Sequence, residues 1–337
     1  MTDVVSSTVS LASDEPRRLS QPVRRSDRIF RGITTGAALT SFVVMGLIAF
    51  FLFKESWPAI RTAGVSFFTA FEWNPDEPGA RYGVASMLFG TVMVSIVALV
   101  VALPVSIGTG IYINEYAPLR VRRTLVSLVD LLAAIPSLIF GLWGLIFLQP
   151  KLNGLAEWLN DYLGFIPIFK AQLRGFYGSS IFVSGLVLAI MIVPIITSVS
   201  RSVMAEVPRD YCEAALALGG TRSGMIRNVI LPFGRSGLVG ASMLGLGRAL
   251  GETIAVSLIL SNDYRVPSSF TSPGGASVAG TIALRFGDAA ENGRSALMGA
   301  GLILFGLTLV VNIVARTVVS RSKEKTVRKP GAARAKA

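Results

Sequence analysis

Six apolar stretches, separated by polar or mixed segments, dominate the pattern of the chain. Each is about 20 residues long, the length that a helix needs to cross the hydrocarbon core of a bilayer. The six predicted spans are 33–53, 83–107, 125–148, 180–200, 234–260 and 297–316. Because lipid offers no hydrogen-bond partners to a free backbone, each stretch is expected to be helical. The pattern therefore predicts an all-α, polytopic membrane protein with six transmembrane helices.

The composition and the charge distribution agree with this class. Of the 337 residues 52% are hydrophobic and only 15% are charged, values that soluble proteins seldom combine. The net charge of +12 is compatible with a nucleic-acid partner, but its distribution argues against one. Most Lys and Arg residues lie in pieces on one side of the spans, namely 1–32, 117–124, 200–235 and 317–337. The positive-inside rule then places both termini in the cytoplasm and makes the lipid bilayer the expected contact.

Several kinds of chemistry are excluded by the residues that the chain lacks. It has no histidine and a single cysteine, Cys212, which excludes an internal disulfide and transition-metal sites built on these ligands. No lysine follows a glycine anywhere, so the chain has no P-loop for ATP. We therefore expect no catalytic residues, no metal and no cofactor on this chain, and ATP, if used, must bind to another subunit.

The polar segments divide the chain into three parts. Residues 1–32 lack apolar periodicity and are predicted to form a disordered cytoplasmic tail. Residues 33–319 form the transmembrane domain, with a cytoplasmic loop at 201–233 between the fourth and fifth spans. Residues 320–337 form a basic cytoplasmic tail, whose charge suits anionic lipid.

The cytoplasmic loop has the helix start and stop residues of a helix-turn-helix. Pro208 suits a first helical turn, and Gly219–Gly220 suits the end of that helix. Thr221 is a candidate cap for a second helix, predicted to run to Leu231–Pro232.

This loop resembles the EAA loop of bacterial ABC importer permeases, whose pattern is E-A-A-x3-G-x9-I-x-L-P. The matching residues are Glu213, Ala214, Ala215, Gly219, Leu231 and Pro232, with Val229 in place of the usual isoleucine. The resemblance implies a coupling helix that seats in a groove of a cytoplasmic ATPase subunit. Small alanines suit close approach by a partner, and Glu213 supplies a charge at the rim. The competing interpretation is an ordinary amphipathic loop helix that stops at a glycine.

The second notable feature is a charged pair within the fifth apolar stretch. A buried arginine costs at least ~2.5 kcal/mol on insertion scales, so Arg248 is expected to face protein or a water-filled cavity. Glu252 follows four residues later and would share one helical face with Arg248. The run from Gly247 to Thr253 resembles the PstC family of phosphate-importer permeases, in which the matching arginine and glutamate line the phosphate path. A self-contained structural ion pair is the alternative.

The third apolar stretch carries Pro136 followed by Ser137, which again resembles PstC permeases. A proline inside a helix removes a backbone hydrogen bond and kinks or opens it. The Ser137 hydroxyl and the freed carbonyls either line a polar path or mark a packing kink, and both interpretations remain open. The candidate pathway residues are thus Arg248, Glu252, Ser137 and Thr253.

The resemblance implies a complete assembly in the bacterial cytoplasmic membrane. Its partners would be a second, PstA-like permease, two copies of a PstB-like ATPase that bind ATP and Mg²⁺, and an external PstS-like phosphate-binding protein. The pair Gly247 and Gly251 is expected to face the second permease, since small residues allow close helix contact in lipid. The type I ABC importer permease fold is the expected architecture.

Two other functions remain open on the sequence. One arginine does not distinguish tetrahedral oxyanions, so sulfate or molybdate is an alternative cargo. An ion-coupled secondary transporter, with Arg248, Glu252 and Asp130 as a relay, is the other alternative, and it leaves the EAA-like loop unexplained.

Overall fold

The computed structural model describes the backbone of residues 25–77, 79, 81–166, 170, 178–267 and 269–327, with side chains as far as Thr317. The chain forms two units, residues 1–48 and 49–337. In the first unit the described residues are helical, and nearly all of their side chains are exposed. All interactions discussed below lie within the second unit.

Helices make up nearly all of the regular structure. They are α1 (Arg25–Ala63), α2 (Ser66–Thr69), α3 (Ala85–Ile111), α4 (Leu119–Ala133), α5 (Ser137–Trp143), α6 (Gln149–Leu163), α7 (Ile181–Ala205), α8 (Arg209–Ala217), α9 (Arg222–Met225), α10 (Leu231–Gly251), α11 (Ile254–Ile259), α12 (Val278–Arg285) and α13 (Glu291–Val327). Single π-helical turns occur at Tyr112–Tyr116, Gly144–Leu148 and Ile226–Ile230. Within the described ranges β-structure is limited to isolated bridges.

Among the residues that the structure describes, six helical segments are long and apolar enough to cross a membrane. They are Arg25–Ala63, Ala85–Tyr116, Ser137–Leu163, Ile181–Ala205, Arg222–Gly251 and Glu291–Thr317. The prediction of an all-α protein with six membrane spans is confirmed.

Helix α7 lies at the centre of the second unit and packs against α3 and α10. Glycines allow the close approach. A Cβ at Gly185 would lie 2.5 Å from Val97 Cγ1, and a Cβ at Gly245 would lie 2.5 Å from Ile196 Cδ1. The Ser106 hydroxyl donates a hydrogen bond across this contact to the Val193 carbonyl at 3.1 Å. Small residues and an interhelical hydrogen bond are the usual means of joining helices in lipid.

The third span differs from the prediction, which placed it at 125–148. The structure ends α4 at Ala133 and starts a new helix at Ser137, and this helix continues through a π-turn to Leu163. Pro136 has an extended backbone (φ −59°, ψ 139°), so the predicted kink is a complete break. Proline cannot donate the hydrogen bond that would continue the helix. Residues 149–163, which lie beyond the predicted span, are helical as well.

The fifth span also differs at both ends. Its helix does not stop at Leu231–Pro232 but runs from Arg222 to Gly251. A π-turn at Ile226–Ile230 comes just before Pro232, so the proline lies in the first turn of α10. In such a first turn the missing N–H is tolerated. At the other end the helix stops at Gly251, so the predicted span 234–260 is interrupted before α11.

Two predicted tails are shorter than expected. Helix α1 begins at Arg25, and α13 continues to Val327, so part of each tail is helical. The rest of both predictions, residues 1–24 and 328–337, lies outside the described residues.

Candidate functional site

A cleft of about 690 Å³ runs along one face of α10. The residues that line it recur on α10 at spacings of three and four, which places them on one helical face. The lining residues are Ile195 on α7, Val239, Gly240, Met243, Leu244, Gly247 and Arg248 on α10, and Asn312, Ala315 and Arg316 on α13.

Arg248 is the predicted pathway residue that lines this cleft. It lies in the last turn of α10 and is partly buried. Its Nε is buried without a hydrogen-bond partner among the described residues. An unpaired buried donor is costly, so it favours a ligand that accepts hydrogen bonds. The described lining contains two arginines and no acid, which makes the cleft electropositive.

Glu252 does not share a helical face with Arg248, and this prediction is wrong. The backbone of Glu252 is extended (φ −68°, ψ 125°) because α10 has ended at Gly251. Its carboxylate accepts a hydrogen bond from the Ala255 N–H at 3.4 Å, at the start of α11. The described part of the chain contains no ion pair between Arg248 and Glu252.

Thr253 and Ser137 lie at the two breaks in the helices. The Thr253 hydroxyl donates to the Gly251 carbonyl at 3.2 Å, which satisfies one carbonyl left free where α10 ends. Ser137 is the first residue of α5, directly after the break at Pro136. Neither residue, nor Glu252, belongs to the described lining of the Arg248 cleft.

The two breaks are nevertheless structurally related. Helices α5 and α11, which start at these breaks, pack against each other, and a Cβ at Gly141 would lie 2.8 Å from the Ala255 Cα. Interrupted helices at membrane depth occur in transporters where backbone groups meet protein or a water-filled cavity. The sequence indicated the Pro136 break, but it contained no comparable signal for the break at Gly251.

Helix α8 contains the predicted coupling residues Glu213, Ala214 and Ala215. It ends in a Schellman motif, in which the Gly220 N–H donates to the Ala215 carbonyl at 3.1 Å and the Gly219 N–H donates to the Leu216 carbonyl at 3.0 Å. Gly219 has φ +82°, a conformation that residues with a Cβ seldom adopt. The predicted glycine stop is confirmed, and so is the Thr221 cap, whose hydroxyl accepts from the Gly224 N–H at 3.1 Å.

One face of α8 rests on the protein and the other is exposed. Cys212 and Ala215 pack on a cluster that includes Met204 and Ile230, whereas Glu213 and Ala214 are exposed. Partial burial, with a smaller contribution from the Glu115 carboxylate, raises the pKa of the Cys212 thiol. The cluster connects α8 to α7 and to the start of α10. Leu231 is partly buried and Pro232 exposed where this connection enters α10.

The exposed part of α8 carries apolar side chains that the sequence interpretation missed. Tyr211 on α8 is 60% exposed, and Leu218, which follows α8 and precedes the exposed Gly219, is 90% exposed. Apolar residues grouped on an otherwise polar loop are typical of a protein contact surface. In the sequence Tyr211 follows the charged residues Arg209 and Asp210, whereas Leu218 stands among alanine, leucine and glycine, so the pattern did not mark the two as one surface.

A polar network at the same end of the bundle was also missed. The Asn114 amide donates to the Arg201 carbonyl at 2.8 Å and accepts from Arg122 Nη2 at 2.9 Å. Arg222 Nη1 donates to the Glu115 carbonyl at 3.5 Å. These bonds join the π-turn after α3 to α4, to the end of α7 and to α9, which is in contact with α8.

Asp130 lies apart from the cleft. Its carboxylate accepts a hydrogen bond from the Ser198 hydroxyl at 3.0 Å, between α4 and α7. Of the three residues in the predicted ion relay, only Arg248 lines the cleft. The described arrangement therefore gives no support to an ion-coupled secondary transporter.

Comparison with known proteins agrees with the arrangement of helices and loop. Residues 102–324 match the family described as binding-protein-dependent transport system inner membrane component. Phosphate transport system permease protein PstC 2 of Mycobacterium tuberculosis is 43% identical over 303 residues, covering 88% of this chain and 93% of that protein. Phosphate transport system permease protein PstC of Xylella fastidiosa is 39% identical over 306 residues, covering 89% and 93%.

A solved structure resembles the fold. It is the crystal structure of a bacterial ABC transporter involved in the import of the acidic polysaccharide alginate, with a TM-score of 0.52, 17% sequence identity, and coverage of 87% of this chain and 99% of that chain. At this identity the likeness concerns the fold alone. On the family match and on the two permease relatives, the chain is a multi-pass membrane protein that belongs to the inner membrane components of binding-protein-dependent transport systems and, among them, to the PstC permeases.

Proposed function

We propose that this chain forms half of the membrane pathway of an ATP-driven phosphate importer in the bacterial cytoplasmic membrane. The observation that carries the proposal is the position of Arg248, which lines a cleft of about 690 Å³ and has a buried Nε without a partner among the described residues. A guanidinium is a planar, permanently charged donor that fits phosphate oxygens. The names of the relatives favour phosphate over sulfate or molybdate as the cargo.

In this proposal phosphate passes Arg248 and makes and breaks no covalent bond on the chain. Glu252 opposes tight trapping of the anion through its negative charge, although it is held by the Ala255 N–H rather than by Arg248. Ser137 and Thr253 lie at the starts of the adjoining helices α5 and α11, outside the described lining of the cleft. In this proposal the Ser137 hydroxyl donates a further hydrogen bond to a phosphate oxygen, and the Thr253 hydroxyl does so only after it gives up its bond to the Gly251 carbonyl.

Helix α8 is the proposed contact with the ATPase. Its exposed Glu213, Ala214 and Gly219 would seat in a groove of the ATPase, of which the importer would contain two copies that bind ATP and Mg²⁺. Movement of α8 would reach α10 through the cluster that contains Met204 and Ile230, and from there the Arg248 cleft. This contiguous packing supports alternating access driven by ATP.

A second, PstA-like permease would cover the open face of α10. Gly240, Gly247 and Gly251 have open space where a Cβ would be, so a helix from a partner could approach this face and enclose the cleft between the two permeases. An external phosphate-binding protein would deliver the anion from the side opposite α8.

The proposal is tested with Arg248→Gln in the assembled importer, reconstituted in vesicles with its binding protein. Loss of a charged hydrogen-bond donor is expected to lower phosphate uptake by about tenfold or more. Arg235→Gln is the matched control, because Arg235 is an exposed arginine on the same helix and does not line the cleft. Co-purification of the subunits reports assembly. Uptake of phosphate by Arg248→Gln at the rate of the control would contradict the proposal.

A further inference from the structure

We infer that Arg316, with Asn312 beside it, forms a second binding subsite for a tetrahedral oxyanion in the cleft that Arg248 lines. The inference rests on the proposed function, since it takes phosphate as the transported anion. The inference assigns a role to Arg316, which lies in the last span and outside the sequence motif around Arg248. Its basis is that all three residues line one cleft.

The spacing of Asn312 and Arg316 on α13 favours a binding site made of two side chains over one isolated charge. Asn312 and Arg316 are four residues apart and therefore share one helical face, with Ala315 beside them on the cleft. An asparagine amide and a guanidinium both donate hydrogen bonds to an oxyanion. Asn312 and Arg316 are exposed in the isolated chain, and both line the cleft beside α10.

The two arginines lie at different depths. Consecutive spans cross a bilayer in opposite directions, so the end of the sixth apolar stretch, predicted at 297–316, lies on the side where the fifth span begins. Arg316 is at that end, whereas Arg248 is three residues before the end of α10 at Gly251. The α10 lining extends from Val239 to Arg248, about 14 Å along the helix axis. An anion leaving Arg248 would therefore meet Arg316 on the way toward the side that carries α8.

The charge of the cleft explains why two subsites are useful. With two arginines and no acid in the described lining, each guanidinium attracts an anion and the two repel each other. A single strong site would hold an anion too tightly, whereas two sites in series allow it to enter and to leave. Arg316 would then mainly set the rate of release toward the cytoplasm, and Arg248 the entry of the anion.

The inference is tested by measuring uptake of radioactive inorganic phosphate by the reconstituted importer with Arg316→Gln. We expect the maximal uptake rate to fall by about tenfold while the subunits still co-purify. Arg316→Lys, which keeps the charge, should recover part of the rate. The double variant Asn312→Arg/Arg316→Gln moves the charge one turn along the same face and should also recover part of it. Neither recovery is expected if Arg316 has only a packing role.

The outcomes separate the inference from the proposed function and from a lipid site. If the unaltered importer takes up no phosphate, the proposed function itself fails. If it does, and Arg316→Gln matches Arg235→Gln, the inference alone fails. The assay is repeated in vesicles of phosphatidylcholine with and without phosphatidylglycerol. A defect that disappears without the anionic lipid would show that Arg316 binds a lipid headgroup, and this also overturns the inference. If Arg316→Gln does not assemble, the two variants that keep the charge, Arg316→Lys and Asn312→Arg/Arg316→Gln, decide the question. The inference is also overturned if both of these variants assemble fully but neither recovers phosphate uptake.

Discussion

The Glu252 carboxylate accepts a hydrogen bond from the Ala255 N–H at 3.4 Å and forms no ion pair with Arg248 among the described residues. Glu252 is four positions after Arg248, a spacing that brings two side chains together only if the helix continues. Here α10 ends between them, at Gly251. The carboxylate therefore holds the start of α11, and the arginine is left available to the cleft.

The first prediction concerns this separation. Because no ion pair joins the two residues, the effects of Arg248→Gln and Glu252→Gln on the unfolding free energy should add, with an interaction energy within about 0.5 kcal/mol of zero. The measurement is a double-mutant cycle on thermal unfolding of the purified assembly. An interaction energy several times larger would instead support a structural ion pair between Arg248 and Glu252. Glu252→Ala, which removes the acceptor for Ala255, should destabilise by about 1 kcal/mol more than Glu252→Gln.

The second prediction concerns the turn after α8. Gly219 has φ +82°, so Gly219→Val must strain the backbone or change the turn, at a cost of about 1–2 kcal/mol. We expect coupling to weaken, seen as ATP hydrolysis that no longer drives phosphate uptake. Gly224→Ala is the control in the same loop, because its Cβ would meet Thr221 Oγ1 at an ordinary 3.4 Å. Normal coupling in Gly219→Val would argue against a role for this turn.

The third prediction concerns the exposed apolar side chain on the coupling loop. Leu218 is 90% exposed, so Leu218→Ser should leave the stability of the isolated subunit unchanged within about 0.5 kcal/mol. If α8 seats on the ATPase, the same change should weaken retention of the ATPase during purification. Leu119→Ser alters a similarly exposed leucine, 78%, at the start of α4 and serves as the control. Equal retention of the ATPase in both variants would contradict the proposed contact.

The fourth prediction separates two sets of glycines on α10. A Cβ at Gly245 would meet Ile196, so Gly245→Val should disturb the packing of α10 on α7 and destabilise the subunit by about 1–3 kcal/mol. Gly247 has open space beside it, so Gly247→Val should spare the subunit but weaken its association with the second permease. Thermal unfolding of the subunit and co-purification of the second permease measure the two effects. If Gly247→Val destabilises the subunit as much as Gly245→Val does, the assignment of the two faces is wrong.

The sequence by itself determined the class of the protein and the local structure of the loop that contains α8 and α9. A long run of apolar residues in a membrane has few possible structures other than a helix, so the number of spans followed from the lengths of these runs alone. The turn at Gly219 and the Thr221 cap are local as well, since each depends on the conformation of a few neighbouring residues. The resemblance of the Arg248 segment to PstC permeases also led to the correct family, because a short motif consists of consecutive residues and is visible without the tertiary structure.

Apart from the break that Pro136 marks, tertiary structure alone decided where the helices break and which residues meet. Hydropathy does not distinguish a continuous helix from two shorter ones, so the interruption after Gly251 and the shift of the third span were not predictable from the pattern. The backbone groups freed at these breaks are satisfied locally, as the bond from Ala255 to Glu252 shows. Arg248 and Arg316 share a cleft only because α10 and α13 pack together, and packing between distant segments leaves no periodic signal in the sequence.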